Sequence, residues 1–401
     1  MANDIVIYTV VHQPRRLKLP AQPIPRGAVV KDIERCLFDE RMNERYFHKV
    51  AKYCYYPATE MFYELVQQGI KLSIGFSVSF LRQLENWDKQ LMELFKRLVA
   101  HPNVELVGVE PYHSFILLID LPTFIKRMTW ARDYLEQFFG KRPVVTDTTE
   151  MCMSDSVYHA VDKAGFIGAV LDGRPWVLDW RDPTHLYHQG KNLQLLTRHH
   201  ELSDDVGYRF SNRNWSGFPL RADAYAHWLR EARGDFVFIG WDYETFGEHH
   251  SADTGIFHFM RRLPEELANR HMGFLTTSEA IAKYKDRSYY LPLPAYPSTW
   301  AGSGGMEFFL GNSAQQAIFQ LMLHTYNKAK LTKSKEMVDL ALWLSQSDNL
   351  HLIQWFDRVG SEAEVSAYFT PREWWELGPY GIIWEQQQVY KNLIKAMDSY
   401  L

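Results

Sequence analysis

Phe236-Val237-Phe238-Ile239-Gly240-Trp241-Asp242 decides the fold: seven residues without a charge until the last, and a carboxylate where the run stops. A strand covered on one face alternates apolar and polar residues. An unbroken apolar run is expected where both faces are covered, as in a parallel sheet flanked by crossover helices. Working outward, comparable runs at 4–11, 70–78, 103–109, 143–147, 166–171 and 272–276 join 235–241 to predict seven strands. Helical patterns lie between them. In 122–139, Phe124, Met128, Ala131, Leu135 and Phe138 share one face, and the segment stops at Gly140. Segments 154–164 and 222–233 have the same design and stop at Gly165 and Gly234. Strands alternating with helices define an α/β domain with a parallel sheet.

The texture changes after this domain. Pro292, Pro294, Pro297 and the stretch 302–305 read as a linker or ordered loop, and 313–330, 333–346 and 382–399 are helical in pattern around an aromatic-rich interruption at 355–384. The expected domains are therefore 1–290, an α/β unit with inserted helices and loops, and 291–401, a linker with a helical domain.

Lys and Arg number 44 against 48 Asp and Glu, a net charge of −4 with no basic run, which gives no reason to expect a nucleic-acid or anionic-membrane partner. Cys36, Cys54 and Cys152 are an odd set without C-x-x-C spacing, so neither a disulfide framework nor a zinc knuckle is suggested. The chain enters a strand-like run directly after Asp4, and its longest apolar stretch, near 115–124, is broken by Asp120 and Pro122. That falls short of the ~20 residues a bilayer span needs, and a cytoplasmic protein is expected. Aromatic residues make up 15% of the chain, with 13 Trp and 22 Tyr, which suits either a large aromatic core or flat surfaces for sugar rings.

The conspicuous polar residues follow the C-terminal ends of predicted strands. His12 follows the first, Glu105 to His113 lie on and after the third, Glu150 follows the fourth, and Asp242 with Glu244 ends the sixth. In parallel barrels the loops at that end converge on the site. Two carboxylates from different strands are the minimum equipment for cleaving a glycosidic bond, one for the anomeric carbon and one to protonate the leaving oxygen. Glu150 and Asp242 are the pair this placement selects. The plainer alternative is that Glu150 sits near the N-terminus of a helix beginning at Ser154 and Asp242 caps the turn before Gly247.

HQPRR at 12–16, TTEMCMSD around Glu150 and WDYETFGEHH at 241–250 resemble glycoside hydrolase family 57, the α-amylase and α-glucanotransferase family; LSDDVGYRFS at 202–211 and LTTSEA at 275–280 extend the resemblance in order. The resemblance implies an incomplete (β/α)7 barrel with a C-terminal α-helical domain completing the cleft. It implies a retaining hydrolase of α-linked glucans without metal or cofactor, with Glu150 as nucleophile and Asp242 as general acid/base. Glu244 is then a neighbouring binding or pKa-tuning group. His12, Glu105, His113, Trp241 and Trp300 are expected to line the sugar-binding cleft, with Trp241 and Phe246 also candidates for an apolar wall beside Asp242. The T-x-x-E pattern of Thr276 and Glu279 also fits a plain helix start. Glu248-His249-His250, Met151-Cys152 and the glycine-rich 302–305 depart from many relatives, which leaves linkage and products open.

Within the family the alternatives are a 4-α-glucanotransferase, a branching enzyme or an α-galactosidase. Outside it stand a metal-dependent polysaccharide deacetylase and a non-catalytic glycan-binding protein. The histidines at 12, 113, 185, 188, 199, 200, 249 and 250 lack the H-x-x-x-H spacing of a helical metal site.

Overall fold

The computed structural model describes the whole chain, Met1–Leu401. Its strands are β1 (Asp4–Val11), β2 (Leu72–Phe76), β3 (Val104–Gly108), β4 (Val145–Thr146), β5 (Gly168–Asp172), β6 (Leu186–His188), β7 (Gln194–Arg198), β8 (Phe236–Asp242), β9 (Gly273–Leu275) and β10 (Tyr289–Tyr290). β1, β2, β3, β4, β5, β7 and β8 pair successively, all parallel, and β8 returns to β1 to close a seven-stranded barrel. The seventh strand is thus β7, not the predicted 272–276. Gln, Thr and Arg in Gln194–Arg198 hid its apolar signal, and β9 instead pairs with the first three residues of β1.

The barrel is thinnest between β7 and β8, where the only pairing is Arg198 with Phe238. There the chain leaves the sheet into the helix His200–Gly207, and Ser203 takes over strand-like bonding: its Oγ accepts the Gly240 N–H at 3.2 Å and its carbonyl accepts the Trp241 indole N–H at 2.9 Å.

Side chains alternate in and out along each strand. Phe236 and Phe238 of β8 join Val6, Tyr8, Val10, Val107, Val170 and Leu196 in the barrel interior, while Val237, Ile239 and Trp241 pack outward under the helices with Ile5, Ile7, Ile74 and Leu106. The continuous apolar run of β8 is therefore two cores read from one strand. Predicted crossover helices form as Leu121–Phe139, Asp155–Lys163 and Ala222–Glu231. The first two end at Gly140 and Gly165, both with positive φ (77° and 81°), a conformation only glycine adopts freely.

The helix Thr277–Tyr284 supplies Ala280, Ile281 and Tyr284 to the interior cluster at the end where the strands begin. Thr276 and Glu279 close the capping box that starts it, so LTTSEA is a helix start.

Two compact units divide the chain, and neither is continuous: 1–13, 46–111 and 124–300 form the barrel unit, while 14–45, 112–123 and 301–401 form a helical unit. The expected single boundary near 290 thus lies at Trp300, and two excursions from the barrel belong to the second unit because their own side chains pack there. Arg15 lies 4.1 Å over Phe38 and 5.2 Å over Trp343, Tyr112 stacks on Trp343 at 3.7 Å, and Asp120 accepts from Lys330 at 2.8 Å. The principal helices of this unit are Ser313–Leu331, Lys335–Leu344 and Gly378–Ala396, with a further helix Ser361–Phe369 inside the aromatic-rich interruption. No helix of either unit is long and apolar enough to cross a membrane.

A Cβ at Gly168 would collide with Ile281, so strand and helix meet there without slack. Ile281→Ala should cost about 2–5 kcal/mol in denaturant unfolding. Gly168→Ala should destabilise the wild-type chain and be tolerated in the Ile281→Ala background; equal cost in both would contradict this packing.

Candidate functional site

Asp242 is the last residue of β8, in register with Val10 of β1. Counting by twos from Phe236 and Phe238 turns it inward at the C-terminal end of the barrel. The chain then tightens into a single turn, Tyr243–Thr245, which buries Glu244. Tyr55 donates to Glu244 Oε1 at 2.5 Å and itself receives the Gln13 amide N–H at 2.9 Å. His12, one residue earlier at the end of β1, is half-buried with Nδ1 2.8 Å from the Ser77 hydroxyl that follows β2. Burial, then the charge of Asp242, raises the Glu244 carboxyl to about 8. Below that pH Glu244 keeps its proton and adds no negative charge beside Asp242.

Glu150 follows β4 in a turn, Thr149–Met151, where its own φ is 57° and that of Met151 is 50°. Two successive non-glycine residues in the left-handed region are strained and persist only when held from outside. The hold is a two-way bridge, Met153 N–H to the Ser298 carbonyl at 3.1 Å and Ser298 N–H to the Met153 carbonyl at 2.8 Å. Trp300 completes it: its backbone N–H reaches the Glu150 carbonyl at 3.2 Å, and its indole N–H donates to Glu150 Oε2 at 2.8 Å.

Trp300 is held in turn by two arginines. Arg174 donates to its carbonyl at 2.5 Å, and the Arg198 guanidinium lies 5.7 Å from its ring centroid. Arg198 is buried in the barrel; burial alone would weaken its charge, but Asp204 at 2.6 Å and Asp172 at 2.9 Å more than restore it. Asp172, itself fully buried, is shared with Arg174 at 2.5 Å. A buried cation of this kind is tolerable only when ion-paired and fully bonded, and the Gly240 carbonyl takes its Nε–H at 2.9 Å.

The charges of Glu150 and Asp242 are both felt at one phenol. The Tyr208 phenol is pushed up by desolvation, then by Asp204 and Asp242, and more weakly by Glu150. On the inner side, Tyr8 is raised by burial, by Asp147, to which it donates at 2.8 Å, and by Asp242. Arg198, Tyr208, Tyr8 and Asp147 were not singled out in the sequence. Arg198 was legible only through the alternation Gln194, Leu196, Arg198 of a strand that its polar residues disguised.

The remaining predicted residues have the following partners. Trp241 is 1% exposed, turned into the outer core with Phe246 at 5.6 Å, because period two sends it away from Asp242. Glu105, near the start of β3, accepts the Ser278 N–H at 2.9 Å in the first turn of the helix Thr277–Tyr284, at the opposite end of the barrel from Asp242. His113 belongs to the helical unit, with φ 57° and its ring 3.1 Å from the Ser347 hydroxyl. Asp204 and Asp205 separate: the first pairs with Arg198, the second with Arg209 at 2.8 Å. His185 meets Asp235 at 2.9 Å, His188 meets Ser288 at 3.0 Å, and His250 bonds Ser211 at 2.6 Å, each a local tie within the barrel unit.

A closed parallel barrel with acidic side chains gathered where its strands end is the build of a barrel enzyme. The chain belongs to glycosyl hydrolase family 57, whose model matches residues 6–292, and it is a glycoside hydrolase. It is 32% identical over 353 residues, 85% of this chain and 74% of the other, to a protein of Methanocaldococcus jannaschii described as "Putative alpha-amylase". Its fold is similar to that of a 4-alpha-glucanotransferase from Thermococcus litoralis, with TM-score 0.68 and 14% identity, over 98% of this chain but only 60% of that enzyme's length. A family 57 branching enzyme from Pyrococcus horikoshii gives TM-score 0.64 and 13% identity over 100% of this chain and 97% of that one.

The proton on Glu244 has a consequence for stability. With its folded pKa raised to about 8, the native state binds a proton that the unfolded chain has released above its ordinary value of 4.5, so stability falls as pH rises through that window. Glu244→Gln, which keeps the acceptor for Tyr55, should melt progressively higher than wild type as pH is raised from about 5 to 8. Parallel melting curves across that range would show that Glu244 carries no such proton.

Proposed function

We propose that this protein is a retaining glycoside hydrolase of α-linked glucans, with Glu150 as nucleophile and Asp242 as general acid/base. The observation that carries the reading is the placement of Glu150: a strained carboxylate after β4, bonded through Oε2 by the Trp300 indole, with Asp242 inward at the end of β8 in the same barrel.

In the first step Asp242 gives its proton to the glycosidic oxygen as that bond breaks, and Glu150 attacks the anomeric carbon to form a glycosyl ester. In the second, Asp242 takes a proton from water, the water oxygen bonds to the anomeric carbon, and Glu150 leaves as a carboxylate. The indole N–H on Oε2 favours the ionised carboxylate, the form that attacks. A protonated Glu244 lets Asp242 cycle between its two forms without a second full charge alongside. His12, at the same barrel end, is suited to bonding sugar hydroxyls. The outer-core position of Trp241 and the place of Glu105 at the opposite end of the barrel give them supporting roles.

Names of the relatives support an α-glucan substrate, since an amylase, a glucanotransferase and a branching enzyme are among them. Rising reducing ends on starch or maltooligosaccharides support hydrolysis, and redistributed chain lengths with few new ends support transfer. Activity unchanged in EDTA fits this mechanism and contradicts a metal-dependent deacetylase.

Glu150→Gln and Asp242→Asn should each lower turnover on the order of 10³-fold or more with an unchanged melting temperature. Near wild-type activity in either variant refutes its assignment. Trp300→Phe removes a donor to a charged acceptor and should lower kcat about 10- to 100-fold. It should also move the acidic limb of the pH profile to higher pH; an unmoved limb would mean that the indole does not hold the carboxylate.

A further inference from the structure

His199 follows Arg198 directly, so the two side chains leave the extended chain in opposite directions. Arg198 turns into the barrel interior, while His199 turns out to its flank. There the helix His200–Gly207, the following loop and the helix Ala222–Glu231 line a broadly open pocket of about 620 Å³. That volume lies within the range of small-molecule sites, about 300–1,000 Å³.

The pocket is remote from the residues assigned to chemistry. The His199 N–H bonds the carbonyl of Phe238, four residues before Asp242, which is about 13 Å along the strand. Ala232, on its other side, accepts the Ala2 N–H at 2.7 Å, at the end of the barrel where β1 begins.

Its walls are chemically mixed. Trp215 and Trp228 stand at 77° with ring centroids 6.1 Å apart, making an aromatic corner. Arg209 lies over Trp215 at 5.6 Å and is neutralised by Asp205 at 2.8 Å. Glu201 and Glu231 line the rim as exposed carboxylates. His199 accepts the Leu202 N–H on Nδ1 at 3.4 Å, which leaves Nε2 to carry the proton; burial lowers its pKa to about 4, so the ring stays neutral. Carboxylates at the rim oppose an anion, the guanidinium opposes a cation, and the number of hydrogen-bonding groups opposes a plain hydrocarbon. A neutral ligand with apolar ring faces and hydroxyls that both donate and accept satisfies all of these groups.

We propose that this flank pocket is a second, non-catalytic carbohydrate-binding site that holds a glucan segment against Trp215 and Trp228 while another part of the same polymer occupies the active site. The inference rests on the glucan reading given above. Its function is retention of long substrates, for which two points of attachment on one polymer raise the effective concentration at the active site.

Two single variants test it: Trp228→Ala, which removes part of the aromatic corner, and Glu231→Arg, an exposed change that obstructs the rim without disturbing packing. Each is assayed on maltotetraose, too short to bridge both sites, and for binding to glycogen by affinity electrophoresis. Both variants should keep kcat/KM on maltotetraose within about twofold of wild type while weakening glycogen binding about tenfold. Wild-type glycogen affinity in Glu231→Arg, with maltotetraose turnover intact, overturns the second site and leaves the glucan reading standing. Failure of the wild-type chain to cleave maltotetraose or bind glycogen overturns both.

Discussion

A permanent positive charge sits inside the barrel of this protein, and much of the site is built around keeping it there. Arg198 cannot lose its proton, so Asp172, Asp204 and the Gly240 carbonyl must surround it. It also lies against the indole of Trp300, and that indole bonds Glu150. The charge therefore lies at the root of a chain of contacts from the barrel interior to the strained turn of a carboxylate. Removing the arginine would take the ion pair from Asp204, leave Asp172 to Arg174 alone, and withdraw the guanidinium from the ring that bonds Glu150.

The same region joins rigidity to a break in the sheet. β7 ends at Arg198, and the helix His200–Gly207 continues alongside β8 where another strand would run. An irregular seam gives the interior a place to admit Asp204 from a helix, which a regular strand pair would exclude. It also frees the outer face of that helix to form the flank pocket. Interior charge network and exterior pocket are thus two sides of one short helix.

Strand-end placement made Glu150, Asp242 and His12 legible in the sequence, because a parallel barrel sends the residues after its strands to one end. The failures are physical as well. Gln194–Arg198 was overlooked because its inward residues include a buried polar side chain and a buried charge, which hydrophobic patterning penalises. Trp241 was expected in the cleft for its chemistry, yet its parity with Val237 and Ile239 commits it to the outer core. Glu105 has the inward parity of Val107 but stands at the strand's opposite end. Segments 14–45 and 112–123 carry no marker of their allegiance to 301–401, since long-range packing alone assigns them.

Direct capture of the covalent intermediate is the most searching test of the central claim. In Asp242→Asn the second step lacks its base, so an activated α-glucosyl fluoride, which needs no acid to depart, should load the enzyme faster than water clears it. Mass spectrometry should then find one glucosyl residue on the peptide containing Glu150. A label on any other residue, or none while fluoride is still released, would contradict the account.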